Sequence, residues 1–361
     1  ILKIIMKILF GLHGTTHTEI AQAEINAFQK AGATTEACAY GNWGAANGLL
    51  GSFKLLLKNA FDLRKKAASQ KSDIVYLNTA LDFKTLIRDS ITIFILKAQN
   101  NKIKIVLKFH GSESTAVFSK TNLLKKYIFK KSSLLLVLSN EERENFLRVG
   151  VPAGKVQVTA NVIDKNLYQQ DSEFKTRAGL SEQTTVLLFV GRFMHEKGII
   201  DLVEACRMLK EVNTSFKLFC LGDGPLVAEV NRLIREYALE NNISLLGHIP
   251  ESETRSYYAN CDILILPTYH QEGFPMAVFQ AVGAGKPVIT TKIRAAADYF
   301  TEQEHCLWVE KKNPQQLYQQ IGMLANDKAL QDKMGRNNLV LAEKFTAEKI
   351  VAKLMEYFNK I

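Results

Sequence analysis

Between Ile263 and Thr290 the chain reads strand, loop, helix, turn, strand, and no other stretch constrains the fold as tightly. Ile263, Leu264, Ile265 and Leu266 form an apolar run without polar alternation, as expected of a strand buried on both faces of a parallel sheet. Pro267 ends it. Pro275 is expected at the first helical position, where its missing N–H costs nothing. Met276 to Val282 is apolar and helix-sized, Gly283 and Gly285 supply a left-handed stop, and Val288–Ile289 begins the next strand. A helix that follows a parallel strand starts at the strand's carboxyl end, where its first N–H groups and its dipole favour an anion. Glu272 stands in the loop just before that start, within reach of whatever the anion is attached to. Taken singly, Glu272 also reads as a solvated loop acid and Gln280 as a helix-surface residue. The surrounding motifs decide between these readings.

The same alternation recurs along the 361 residues, a length that accommodates two domains. In the first half, Lys7–Phe10, Ile74–Leu77, Ile103–Leu107, Leu134–Leu138 and Val156–Val158 are expected strands. A loop from Gly11 to His17 follows the first, and Glu19–Lys30 is a helix. This strand, glycine loop and helix is the mononucleotide-binding pattern, in which Gly14 permits close approach of a ligand. His13 and His17 read as pocket or structural residues. Ser139 is an expected N-cap with Glu142 as its partner three residues on. Residues 165–184 are polar and read as an interdomain linker. In the second half, Val186–Val190 is a strand and leads into Gly191-Arg192-Phe193-Met194-His195-Glu196-Lys197-Gly198 and a helix, Ile200–Leu209. Phe216–Leu221 is followed by Gly222-Asp223-Gly224-Pro225, and Ile243–Leu246 by Gly247-His248-Ile249-Pro250. Helices 314–325, 330–345 and 347–358 close the chain. The alternation predicts an α/β protein of two doubly wound, Rossmann-like domains facing across a cleft.

Two of these motifs carry a family resemblance. Glu272-Gly-Phe-Pro275 with its helix and Gly285-Lys-Pro-Val-Ile289, together with Gly191-Arg-x-x-x-Glu-Lys-Gly198, resembles retaining nucleotide-sugar glycosyltransferases of family 4, also called glycosyl transferases group 1. The resemblance spans nearly the whole chain, with its specific motifs in the second half. It implies the GT-B fold: an acceptor domain over residues 1–165 and a donor domain over 166–345. Helix 346–361 would pack back on the first domain. Glu272 would face the donor sugar. Gln280 stands where the family has a second Glu that holds the ribose; a neutral amide binds a hydroxyl less strongly than a carboxylate does. Arg192 and Lys197 would stabilise the leaving nucleoside diphosphate, Arg by a fork of donors and Lys as a point charge; the bland alternative is a surface ion pair with Glu196. His110, just past a strand, would approach the donor sugar as a further catalytic residue. Gly14 would close on the phosphates, and Gly247, His248 and Ile249 would lie against the base. Glu272, Gly273, Phe274, Pro275, Met276 and Ala277 would line the sugar and diphosphate. Asn161-Val-Ile-Asp164 resembles in part the family's Asn-Gly-Val-Asp turn, with Val162 where the family has Gly.

Composition bounds the rest. The apolar and charged fractions are those of a globular protein, and no apolar run approaches a membrane span. Five scattered cysteines without metal spacing read as reduced core thiols of a cytoplasmic protein. No signal peptide is evident, and Met6 reads as a native start with residues 1–5 an extension. The net charge of +10 concentrates in the first half, in Lys54, Lys58, Arg64, Lys65 and Lys66 and in Lys120, Lys125, Lys126, Lys130 and Lys131. The second group alternates with Leu123, Leu124, Tyr127, Ile128 and Phe129. Such a stretch is either a solvated helix face or a peripheral contact with anionic lipid. Nucleic acid is disfavoured, because no zinc-finger, RRM or KH signature is present. The expected activity is transfer of a sugar from a UDP- or GDP-sugar to a glycan or lipid-linked acceptor at the inner face of the cell membrane. No metal or other cofactor is required. A GT-B epimerase and a donor-binding protein with weakened turnover remain alternatives. A Rossmann dehydrogenase is disfavoured by the incomplete glycine fingerprint.

Overall fold

The computed structural model describes residues 5–12, 18–41, 48–110 and 123–361. The chain divides into two compact units. The first holds residues up to Val162, the segment Gln271–Phe274, and Phe345 onward; the second holds Ile163–His270 and Pro275–Lys344.

The first unit runs β1 (Lys7–Leu12), α1 (Thr18–Lys30), β2 (Thr34–Ala39), α2 (Gly48–Gln70), β3 (Ile74–Thr79), α3 (Phe83–Gln99), β4 (Lys104–Phe109), α4 (Leu123–Lys131), β5 (Leu134–Val137), α5 (Asn140–Arg148) and β6 (Val156–Val158). All strands are parallel, in the order β2-β1-β3-β4-β5-β6. Val75, Leu77, Ile105, Leu107, Leu135 and Val137 are fully buried, as continuous apolar strands between two helical layers must be. Ser139 caps α5 by accepting the Glu142 N–H, and the Glu142 carboxylate in turn accepts the Leu138 N–H at 3.0 Å. Asp82 caps α3 in the same way, through the N–H groups of Lys84 and Thr85.

The second unit runs α6 (Phe174–Arg177), β7 (Thr185–Val190), α7 (Ile199–Glu211), β8 (Phe216–Leu221), α8 (Val227–Glu236), β9 (Ile243–Gly247), α9 (Glu251–Asn260), β10 (Ile263–Leu266), α10 (Met276–Gly283), β11 (Val288–Thr290), α11 (Arg294–Tyr299), β12 (Cys306–Trp308), α12 (Pro314–Asn326) and α13 (Lys328–Ala342). Its six parallel strands are ordered β12-β11-β10-β7-β8-β9. The final helix, α14 (Ala347–Phe358), belongs to the first unit and packs on α1. There Phe358 stacks on Phe28 at 5.6 Å and meets the edge of Tyr76. Each unit is a doubly wound α/β domain, as the alternation predicts.

Several local expectations need correction. Pro275 is the N-cap of α10, not its first helical residue, with φ −66° and ψ 94°. Gly283 is the last residue of α10, and only Gly285 takes a left-handed φ of +68°. Gly283 is small for another reason: a Cβ there would lie 2.6 Å from Ile163. Residues 165–184 are no featureless linker, because Phe174 is buried against Phe219 and Tyr257 inside the second unit. Lys125 is 6% exposed and faces inward from α4, and burial lowers its pKa, so it is not part of a cationic surface. Cys206, Cys220, Cys261 and Cys306 are buried thiols, whereas Cys38 is half-buried on β2.

Candidate active site

In a doubly wound sheet the crevice for ligands opens where the strand order reverses, at the carboxyl ends of the strands. In the second unit that point lies between β7 and β10, which pair through Ile263 with Leu187 and Leu264 with Leu188. The loops after these two strands carry Arg192, Lys197 and the segment leading to α10.

The two loops are tied together at their stems. The Glu196 carbonyl accepts the N–H groups of Tyr269 at 2.8 Å and His270 at 3.0 Å, and the Thr268 hydroxyl at 3.1 Å. The Thr291 hydroxyl donates to the Thr268 carbonyl from the neighbouring strand end. Gly198 closes the short turn His195–Lys197 with φ +72°, and a Cβ there would sit 2.6 Å from the Pro267 carbonyl. Glycine is required twice over at this position, by conformation and by space. This clamp buries Lys197 to 7% exposure while Arg192 stays exposed. Burial first, and the Arg192 charge second, lower the Lys197 pKa to about 8. A buried lysine beside an arginine is not a surface ion pair with Glu196.

The start of α10 adds to this. Val278 and Phe279 are the first residues to donate back to the Pro275 carbonyl, at 3.0 and 3.2 Å, so the N–H groups of Met276 and Ala277 lie ahead of the first internal bond. Along α10, Met276, Ala277 and Gln280 are half-exposed, while Val278, Phe279, Ala281 and Val282 are buried. Gln280 therefore lies on the accessible side, and its Nε2 donates to Glu251 Oε1 at 3.3 Å. Glu251 opens α9 directly after the loop Gly247–Pro250. In that loop Gly247 takes φ +69° and its carbonyl accepts the Gly222 N–H at 2.7 Å; His248 is exposed and Ile249 half-exposed. Gly222 and Gly224 are forced by close backbone packing, since a Cβ would lie 2.0 Å from the Gly191 carbonyl or 2.5 Å from that of Phe193.

The segment Gln271–Phe274 counts with the first unit. Glu272 is half-exposed there, and Phe274 is buried with its ring edge-on to Phe345 at 5.6 Å. A Cβ on Gly273 would come 2.8 Å from the Glu142 carboxylate, so a larger residue there would have to displace that side chain. His110 lies just past β4 and its Nε2 contacts Asn78 Oδ1 at 2.8 Å; its backbone N–H donates to the Thr79 carbonyl. The end of β3 is pinned from behind. Arg88, 2% exposed, donates to the Asn78 carbonyl at 3.4 Å and to Asp89 at 2.7 Å, and lies over the Tyr40 ring at 4.2 Å. Asp89 accepts from the hydroxyls of Tyr40 and Thr79. Asn78, Arg88, Asp89 and Glu142 were not singled out as site residues from sequence. The available signal was a buried-looking Arg-Asp pair inside an otherwise apolar helix. His13, Gly14 and His17 lie outside the described residues, as does Lys120. Among the described residues no group of three or more His, Cys, Asp or Glu could hold a metal ion.

Residues 170–339 match the family described as Glycosyl transferases group 1. The chain is 27% identical over 274 residues to an uncharacterized glycosyltransferase of Methanocaldococcus jannaschii, covering 72% of this chain and 70% of that one. It is 25% identical over 256 residues to the capsular polysaccharide biosynthesis glycosyltransferase CapM of Staphylococcus aureus, covering 68% and 63%. The crystal structure of Anabaena HepE in complex with UDP and glucose is similar in fold, with a TM-score of 0.78 at 21% identity over 99% of this chain and 100% of that one.

Proposed function

We propose, for a chain that belongs through residues 170–339 to the glycosyl transferases group 1 family, that it is a retaining transferase moving a sugar from a nucleoside-diphosphate sugar to a glycan or lipid-linked hydroxyl acceptor. The observation that carries this reading is the clamp that buries Lys197 beside Arg192 and ties their loop to the stem of the segment leading to α10. As the bond from the sugar's C1 to the phosphate oxygen breaks, negative charge grows on that oxygen. Arg192, Lys197 and the first N–H groups of α10 stabilise it, which is differential binding of the transition state. The acceptor oxygen forms the new bond at C1, and its proton passes to the departing phosphate oxygen. In this reading Glu272 serves the sugar, His110 is a further catalytic residue, Gln280 serves the ribose, and the Gly247–Ile249 loop serves the base. The likeness to HepE, solved with UDP and glucose, supports a UDP-sugar donor, and the likeness to CapM, a capsular polysaccharide biosynthesis glycosyltransferase, supports a polysaccharide precursor as product. Incubation with UDP- and GDP-sugars and a panel of lipid-linked acceptors is expected to yield free nucleoside diphosphate and a glycoside of unchanged anomeric configuration. The rate is expected to be the same with and without EDTA, because fixed cations do the work a metal would otherwise do. An epimerised donor, or an inverted product, overturns the reading.

The acceptor side of this reading places the enzyme at an anionic leaflet. Helices α2, α3 and α4 pack side by side. Their outer positions combine exposed Leu50, Phe53, Phe61, Phe83, Phe94 and Leu123 with exposed Lys54, Lys58, Lys65, Lys126, Lys130 and Lys131. Among the described residues no helix is long and apolar enough to cross a membrane. Each lysine near an anionic surface is worth ~1 kcal/mol, decaying within a Debye length of ~8 Å at physiological salt. The protein is expected to co-sediment with phosphatidylserine-containing vesicles at low salt and to be released at high salt. Charge reversal at Lys126, Lys130 and Lys131 should weaken binding. No binding even at low salt would leave these residues as a solvated face.

A further inference from the structure

We infer that Glu251 is a donor-binding residue: its carboxylate, held by Gln280, accepts the ribose hydroxyls of the nucleoside diphosphate. This rests on the donor reading above and deepens it. An anion at the start of α10 fixes the diphosphate. Gln280, four residues on, lies ~6 Å further along the helix, on the same half-exposed side as Met276 and Ala277, where the sugar esterified to that phosphate would lie.

A vicinal diol offers two O–H donors, and the group that satisfies both is a carboxylate, which only accepts and has two oxygens. Gln280 has one acceptor oxygen and no charge, so alone it is a poor match. Glu251 supplies what is missing. It is exposed, it opens α9 right after the loop assigned to the base, and its Oε1 takes the Gln280 Nε2–H at 3.3 Å. That bond leaves Oε2 and the remaining lone pairs for hydroxyls, and it orients the carboxylate toward the accessible side of α10. The charge sits on α9 and the amide on α10, two helices packed together that start after different strands. The alternative is a hydrogen bond that merely ties the two helices together. The two readings differ in what they predict for charge exchange. With Glu251 in place, Gln280→Glu brings two carboxylates to hydrogen-bonding distance, where like charges oppose each other. With Glu251→Gln, the same change returns a single carboxylate to the pair.

Calorimetric titration with UDP and with 2′,3′-dideoxyuridine diphosphate tests this on the parent, Glu251→Gln, Gln280→Glu and the double variant, with GDP as a second nucleotide and thermal melts as a control for folding. Glu251→Gln should weaken UDP binding roughly tenfold to a hundredfold, as expected for a lost charge-assisted hydrogen bond, and barely change binding of the dideoxy analogue. Gln280→Glu alone should also weaken UDP binding, and the double variant should recover most of the affinity. An unchanged ratio of UDP to dideoxy affinity in Glu251→Gln overturns the inference and leaves the donor reading intact. Gln280→Glu tightening UDP binding in the parent background overturns it as well. If the parent binds neither UDP nor GDP, the donor reading itself fails and the inference falls with it.

Discussion

Arg192→Ala and Lys197→Ala should each lower kcat on the order of 10²-fold, with weaker donor binding besides. The size follows from placement. Lys197 is buried at the reversal point of the sheet, beside Arg192, so its charge acts where water does not screen it. The pH dependence carries a sign that separates catalysis from stability. With a pKa near 8 in the free protein, Lys197 loses its proton as pH rises from 7 to 9, and donor affinity should fall over that window. Folding stability should move the other way. The unfolded chain holds this proton up to the ordinary lysine value of 10.5, so between about 8 and 10.5 it binds more protons than the native state, and stability rises with pH. Lys197→Met should flatten both responses. Steady-state kinetics, donor titrations and melts at several pH values check this; rates within a few-fold of the parent in both alanine variants would sink the assignment.

Glu272→Ala is the second large effect expected. The residue lies in a loop whose stem is fixed by Glu196 and Thr268 and whose next position packs against the Glu142 carboxylate. Such fixed placement next to the start of α10 is what a residue touching the donor sugar needs. Transfer should fall on the order of 10²- to 10³-fold, while nucleoside diphosphate binding stays within a few-fold, because in the proposed arrangement Glu272 meets the sugar and not the diphosphate. Glu272→Gln separates charge from shape: if it retains near-parent rates, hydrogen bonding suffices, and if it matches the alanine variant, the negative charge is required. Loss of diphosphate binding in Glu272→Ala, with the melt unchanged, would show instead that the residue holds the leaving group.

Gln280→Glu separates a reading by position from a reading by structure. Along the sequence the change restores a familiar spacing of two acids and should hold or tighten donor binding. In the folded chain it faces Glu251, 29 residues away, and the expected sign reverses. Spacing of eight residues along a loop and helix is visible in a sequence; the side chain that arrives from a neighbouring helix is not.

What the sequence determined by itself was everything set by short-range periodicity. Apolar runs of strand length alternating with helices specified two parallel sheets, because only strands covered on both faces lack polar alternation. The glycines, Pro275 and the paired motifs at Arg192–Lys197 and Glu272–Gln280 marked the loops that follow the strands at the carboxyl edge of the sheet. Tertiary structure alone decided the remainder, since burial and charge at a point depend on which chain segments converge there. It buried Lys125 within α4 and so removed it from the cationic surface. It packed α14 against Phe28 and placed Phe174 under Phe219. It set Arg88 and Asp89 behind Asn78 and His110, and it lowered the Lys197 pKa by desolvation, an effect no local pattern encodes.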